Sequence, residues 1–256
     1  MILVFGGTTE GNQVISALAS LDIKFVYSTK TKIKVDLPVN GIYRSGAMDQ
    51  EILIDFIKDN NIQLIINAAH PFASDLHNTI ANLMGILSVK VIRIERTLLQ
   101  RVEHENIVYV DDYAKALNIL LDQFAECKGL FFTGVQSIKE FKEFWKNNQS
   151  YFRIIKRATS LKIAQESGFP SENLILEEVK GLVGGEKKLV VDYQADFMVT
   201  KESGKNGALD EKIKLAIDKD ITLIIIKRPS ISEKFENISS VSDMLNYIKL
   251  NFQLKS

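Results

Sequence analysis

Near the amino terminus, Gly6-Gly7-Thr8-Thr9-Glu10-Gly11 follows the apolar run Ile2–Phe5 and precedes a stretch of helical spacing. That is the order a phosphate-binding strand–turn–helix unit needs. Gly6 and Gly7 tolerate backbone angles closed to other residues, and a helix opening near Thr8 points its free N–H groups and positive dipole end into the turn. The dinucleotide fingerprint places three glycines as G-x-G-x-x-G. Gly6 and Gly11 fit the outer two, while Thr8 stands at the middle one. Its hydroxyl can donate to a phosphate, although its Cβ keeps the backbone further away. Glu10 near the helix start suits the dipole and serves either structure or the arrangement of the turn.

Three more segments carry chemistry where strands end. Ser28-Thr29-Lys30-Thr31-Lys32 follows Ile23–Tyr27, Asn67-Ala68-Ala69-His70-Pro71-Phe72-Ala73 follows Leu64–Ile66, and Lys201-Glu202-Ser203-Gly204-Lys205-Asn206-Gly207 follows Phe197–Thr200. An imidazole at such a place, as in His70, can orient a ligand or hand over a proton; ahead of Pro71 it can equally cap a helix. His77 and His104 read as surface residues, and neither has the spacing of a metal ligand pair. No tyrosine has a lysine four residues later, so the Tyr-x-x-x-Lys pair of a short-chain dehydrogenase is missing.

Positioning these segments requires alternating elements. Apolar runs at Ile2–Phe5, Ile23–Tyr27, Leu64–Asn67, Val89–Ile94, Gly129–Thr133, Tyr151–Ile155, Phe197–Thr200 and Ile221–Ile226 read as strands. Between them, Gln13–Ser20, Gln50–Lys58, Ser74–Met84, Asp112–Phe124, Ser137–Trp145 and Asp210–Ile217 have helical spacing. Continuous rather than alternating apolar character predicts strands covered on both faces, hence an α/β fold of parallel sheets flanked by helices. The pattern pauses at the polar stretch Gln100–Asn106. Two Rossmann-like lobes are therefore expected, residues 1–98 and 99–256, with a cleft between them, and ligands belong beyond the carboxyl ends of the strands.

Lysine plus arginine equals aspartate plus glutamate at 32 each over 256 residues, so no global field favours nucleic acid or an anionic membrane. Cys127 is the only cysteine, which excludes an internal disulfide and a multi-cysteine zinc site. No run approaches the roughly 18 apolar residues of a membrane span. A cytoplasmic protein with no metal site is expected.

The chain resembles the precorrin-6A reductase family of corrin-ring biosynthesis. The family opening G-G-T-x-E is met by Gly6, Gly7, Thr8 and Glu10, and its H-P-F-A by His70-Pro71-Phe72-Ala73. R-x-E-R is met by Arg93-Ile94-Glu95-Arg96, and K-x-S-G with a later lysine and terminal R-P by Lys201, Ser203, Gly204, Lys212, Arg228 and Pro229. The matches run in order over nearly the whole chain. Asn67 and Ala69 depart from the family's D-A-T-H-P, Lys30-Thr31 from its S-T-A-G, and Gly181-Leu182-Val183 from its G-P-F.

The resemblance implies hydride transfer from a reduced nicotinamide to a tetrapyrrole-derived polycarboxylate, precorrin-6A or its cobalt form, with a proton added beside it. It implies Gly6, Gly7, Thr8, Thr9, Glu10, Ser28, Thr29 and Lys30 as cofactor residues. His70 and Lys201 become the catalytic candidates, and Arg93, Arg96, Ser203, Gly204, Lys212 and Arg228 the hold on the substrate's carboxylate arms. An NAD-selective site places an acid after the second strand. This chain has Ser28, Thr29, Lys30 and Lys32 there, and no acid until Asp36, which favours NADPH over NADH. The competing expectation is a non-catalytic dinucleotide sensor.

Overall fold

In the computed structural model, which describes residues 1–21, 23–95, 100–177, 185–203 and 207–251, parallel strands alternate with helices except where β2 leads to β3, β5 to β6 and β11 to β12. The chain begins with β1 (Ile2–Phe5), α1 (Thr9–Ser20), β2 (Phe25–Thr29), β3 (Gly41–Ser45), α2 (Gln50–Asp59), β4 (Leu64–Asn67), α3 (Ser74–Leu83) and β5 (Lys90–Ile94). It continues with β6 (Ile107–Val110), α4 (Tyr113–Gln123), β7 (Gly129–Phe132), α5 (Lys142–Trp145), β8 (Ser150–Ile155), α6 (Ala158–Glu166), β9 (Leu174–Glu177) and α7 (Glu186–Asp192). Then come β10 (Phe197–Lys201), α8 (Leu209–Lys219), β11 (Thr222–Ile226), β12 (Glu236–Ile238) and α9 (Val241–Asn251). The helix expected over Ser137–Trp145 is broken into 3₁₀ turns at Val135–Ser137 and Lys139–Phe141 before α5.

The chain divides into two units, Met1–Thr97 with Ser230–Ser256, and Leu98–Pro229. In the first, the strand order is β3-β2-β1-β4-β5-β12, with every pairing parallel. This is the doubly wound dinucleotide-fold order, and it reverses direction between β1 and β4. Both strands are buried along their whole length, and Val14, Ile15 and Leu18 of α1 join Val4, Phe25 and Ile66 in one apolar layer. The other face holds Leu3, Val26 and Ile65 with Leu53 and Ile57 of α2 and Ile80 of α3. Sheets covered on both sides explain the continuous apolar runs.

In the second unit the order is β9-β8-β7-β10-β11-β6, again parallel, with its reversal between β7 and β10. Its core stacks Phe131 against Phe152 with ring centroids 4.4 Å apart and sets Phe197 edge-on to Phe131 at 5.9 Å.

The structure corrects the expected division at one end. The expected second lobe, 99–256, includes residues 230–256, but β12 pairs with β5 and belongs to the first unit. Ile238, Met244 and Ile248 are buried in the same apolar layer as Val4 and Ile92, so the carboxyl-terminal segment completes a core begun more than two hundred residues earlier. Among the described residues, no helix is long and apolar enough to cross a membrane, and no group of three or more His, Cys, Asp or Glu residues is placed to hold a metal ion.

Candidate functional site

At the first unit's reversal point, the turn between β1 and α1 sits beside the loop after β4. Gly7 has φ +89°, a conformation glycine takes without penalty. Its N–H donates to the Tyr27 hydroxyl at 2.8 Å, and the Gly6 N–H donates to the Ser28 carbonyl at 3.0 Å. Tyr27 itself rises from β2, buried, and donates to Asn12 Oδ1 at 3.3 Å. The turn is thus held from beneath by the hydroxyl of the last residue in the apolar run Ile23–Tyr27.

Thr8 behaves differently from the expectation that it donates to a phosphate. Its Oγ1 accepts from the Gly11 N–H at 3.0 Å, capping α1, and donates to the Ala68 carbonyl at 2.7 Å. The hydroxyl proton therefore ties the two strand ends together. Thr9 is exposed and Glu10 half-buried in the first turn of α1, where an anion meets the helix dipole.

The loop after β4 is organised by a buried polar chain. Arg93 on β5 is 1% exposed; its Nη1 donates to Asn67 Oδ1 and to the Ala69 carbonyl, both at 3.0 Å, and its Nε to Glu95 at 3.0 Å. Asn67 Nδ2 lies 3.0 Å from His77 Nδ1, and His77 Nε2 lies 3.1 Å from the His70 carbonyl oxygen. These contacts fit a neutral His77 that accepts from Asn67 and donates to His70. Burial, with the neighbouring Arg93 charge, lowers its pKa to about 4. The expectation that His77 is a surface residue is overturned: it is 4% exposed, because α3 folds its ring back onto the end of β4.

His70 itself is exposed. It does not cap α3, which starts at Ser74; instead its Nδ1 accepts from the Phe72 N–H at 3.2 Å. That bond leaves Nε2 as the proton-bearing nitrogen of the neutral ring.

Ser28 and Thr29, at the end of β2, are buried. Thr29 Oγ1 donates to the Thr31 carbonyl at 2.8 Å and lies 2.8 Å from the Tyr43 hydroxyl. Ser28 accepts from Arg44 Nη1 at 3.3 Å. Lys30 and Lys32 are exposed. Arg44, on β3, was not singled out from the sequence.

In the second unit, Lys201 closes β10 beside the Tyr113 ring, 5.7 Å from its centroid, and burial lowers its pKa to about 8. The next residue, Glu202, is buried; it accepts from Arg101 at 2.8 and 3.2 Å and from the Arg228 backbone N–H at 3.0 Å. Arg228 Nε returns a bond to the Glu202 carbonyl at 2.9 Å. Burial pushes the Glu202 carboxyl upward, but these donors outweigh it and hold the carboxyl below its ordinary value. Three of the predicted cations and hydroxyls therefore fall at the ends of β10 and β11: Lys201, half-buried Ser203 and Arg228.

Lys212 is placed elsewhere. Its ammonium is 1% exposed, donates to the carbonyls of Gly207 and Ala208, and lies 3.3 Å from Glu186, which also pairs with Arg153 at 3.0 Å. Burial lowers the Lys212 pKa to about 8 despite that carboxylate. In this position it fastens the loop to α8 and presents no charge to a ligand. Arg96, Gly204 and the Gly181-Leu182-Val183 segment lie outside the described residues.

The signals that were missed have simple forms. Arg101 and Glu202 pair across about a hundred residues of sequence, which no local pattern displays. Thr133-Gly134, with φ +80° at Gly134, ends β7 at the second reversal point, and a Thr-Gly pair after an apolar run was available to find it.

Comparison with known proteins gives a consistent result. The family described as precorrin-6x reductase CbiJ/CobK matches residues 1–249. The chain is 28% identical to a cobalt-precorrin-6A reductase of Methanococcus maripaludis, over 97% of this chain and 98% of that one. It is 27% identical to a cobalt-precorrin-6A reductase of Priestia megaterium, over 90% and 91%. A solved structure titled CobK precorrin-6A reductase has the same fold, with a TM-score of 0.79 at 20% identity over 97% of this chain and 96% of that one.

Proposed function

The chain belongs to the precorrin-6x reductase family, and on that premise we propose that it transfers a hydride from NADPH to the precorrin-6A macrocycle. It is a reductase of cobalamin biosynthesis. We assign the cobalt-bearing form as substrate, because the relatives from M. maripaludis and P. megaterium are named for it.

One observation carries the cofactor half of this reading. A doubly wound parallel sheet opens a dinucleotide crevice where its strand order reverses, and the Gly6–Thr8 turn stands at that point, between β1 and β4, with the start of α1. The residues present fit such a group: Gly7 has positive φ, and no Cβ at Gly6 or Gly11 crowds the turn. Bound there, a reduced nicotinamide supplies the hydride. The N–H groups in the first turn of α1 would hold the pyrophosphate, and Thr8 ties that turn to the β4 loop.

For the macrocycle's carboxylate arms, the ends of β10 and β11 offer Lys201 and Arg228, and the buried Glu202 draws in Arg101 from the segment before β6. Glu202 sets the positions of both arginines. Lys201 is the proton donor in this reading, since burial brings its ammonium close to neutrality. His70, with Nδ1 engaged, donates through Nε2 to a substrate oxygen. A cytoplasmic setting suits the lone Cys127, and the balanced charge suits a protein without nucleic-acid partners.

Mixing the protein with NADPH and cobalt-precorrin-6A tests the reading. Oxidation of the cofactor together with a product two hydrogen atoms heavier is expected. Cofactor binding with an unchanged macrocycle would instead make the protein a sensor.

A further inference from the structure

Arg44 is a cation with no carboxylate partner among the described residues, and it stands on β3 beside the end of β2, the strand end at which a dinucleotide fold recognises the adenosine ribose. It lies opposite Ser28 in the β2–β3 register, one strand out from the turn-bearing β1. Nη1 alone fixes the side chain, donating to Ser28 Oγ at 3.3 Å and to the Gly46 carbonyl at 2.7 Å. The Phe56 ring lies beneath the guanidinium, 5.6 Å from its centroid.

Gly46 has φ +118°, and its N–H donates to the Thr29 carbonyl at 3.0 Å, so the loop carrying the anchor is itself stapled to the end of β2. Among the described residues nothing accepts from Nε or Nη2. Burial without a counter-charge lowers the pKa of the group. The arrangement is a pre-set guanidinium with an edge left over for an anion.

Resting on the cofactor reading above, we propose that Arg44 reads the 2′-phosphate of NADPH, and that this residue rather than Lys30 or Lys32 sets the cofactor preference. A planar fork can take a phosphate with two parallel hydrogen bonds. The two lysines are exposed, and an ammonium on a solvated stem is a weaker discriminator. The neutral hydroxyls of Ser28 and Thr29 are engaged within the fold and leave the charge-reading to Arg44.

Binding of 2′,5′-ADP, AMP, NADPH and NADH to the whole protein, by calorimetry and nicotinamide fluorescence, tests this. R44A should weaken 2′,5′-ADP and NADPH about 10- to 100-fold, the scale of hydrogen bonds to a charged group. AMP and NADH, which lack the 2′-phosphate, should stay within about twofold, well short of the tenfold that ~1.4 kcal/mol represents. R44K should fall between, because it keeps the charge without the fork, and the double variant K30A/K32A should retain the wild-type preference. Equal loss for phosphorylated and unphosphorylated ligands, an unchanged R44A, or a preference that disappears with the lysines would overturn the proposal. A wild-type protein that binds NADH as well as NADPH sinks the Arg44 assignment but leaves the reductase reading standing. Binding of neither dinucleotide sinks both.

Discussion

A methyl group at Gly6 has no room: a Cβ there would lie 2.1 Å from the Tyr27 ring. At Gly7 the nearest atom is Thr29 Cγ2 at 3.7 Å, but φ is +89°. The two glycines therefore resist substitution for different reasons, one steric and one conformational. Gly6→Ala should destabilise the protein by about 1–3 kcal/mol through overpacking, read as a lower Tm. Gly7→Val should cost about 1–2 kcal/mol of backbone strain, keep the fold, and weaken NADPH binding in calorimetry because the new side chain stands over the turn. Unchanged affinity in a folded Gly7→Val protein would remove the turn from the cofactor site.

Lys201 gives a pH signature. Its pKa falls from 10.5 unfolded to about 8 folded, so between those values the unfolded chain binds more protons. Stability must then rise with pH across that window, by linkage, and Lys201→Met should flatten the rise. If the same ammonium donates the proton in catalysis, kcat falls above about pH 8, and the variant loses that limb along with most of its rate. A Lys201→Met enzyme with the wild-type pH profile would exclude Lys201 as donor. Residue chemistry of this kind was partly legible beforehand. Glycine turns and strand-end cations announce themselves by type and place. His77 did not, because its partner Asn67 reaches it from a different element.

At the scale of elements, the eight apolar runs read from the sequence all become strands, and the four strands without such a run are β3, β6, β9 and β12. Those four are the outer strands of the two sheets. A central strand is covered on both faces and must be apolar at successive positions, whereas an edge strand is short and partly wet. Gly41–Ser45 has no fully buried residue, and Glu236–Ile238 has only Ile238. Arg44 escaped notice for the same reason, since it belongs to one of these edges.

The Glu202 bracket also spans elements, joining β10 to the segment after β11 and to Arg101. Glu202→Gln should cost about 1–3 kcal/mol, the range for hydrogen bonds to a charged group and for donors left without one. Because the folded carboxyl titrates below its ordinary value, its contribution is present above the unfolded pKa and lost as pH falls through the folded one. The variant should therefore differ most from wild type near neutrality and converge with it in acid, in denaturant titrations at several pH values. A constant difference at every pH would mean that packing, not charge, holds this bracket.

For the molecule as a whole, the two units differ in how the chain builds them. The second is a continuous segment, Leu98–Pro229, with its own six-stranded sheet and aromatic core. The first is discontinuous: without Ser230–Ser256 it lacks β12, α9 and the side chains of Ile238, Met244 and Ile248 that lie against Val4 and Ile92. Removing three buried aliphatic side chains withdraws several kcal/mol at about 1.5–3 kcal/mol each, comparable to the total stability of a domain. It also bares the β5 edge to pairing with other chains. Hence residues 98–229 expressed alone should give a soluble, cooperative unfolding transition, whereas residues 1–97 should aggregate or bind a dye for exposed apolar surface. Supplying residues 230–251 through a flexible linker after residue 97 should restore cooperative unfolding and, on the cofactor reading, NADPH binding to the first unit by itself. A fragment 1–97 that unfolds cooperatively without the returning segment would show that β12 and α9 decorate a core that is already complete.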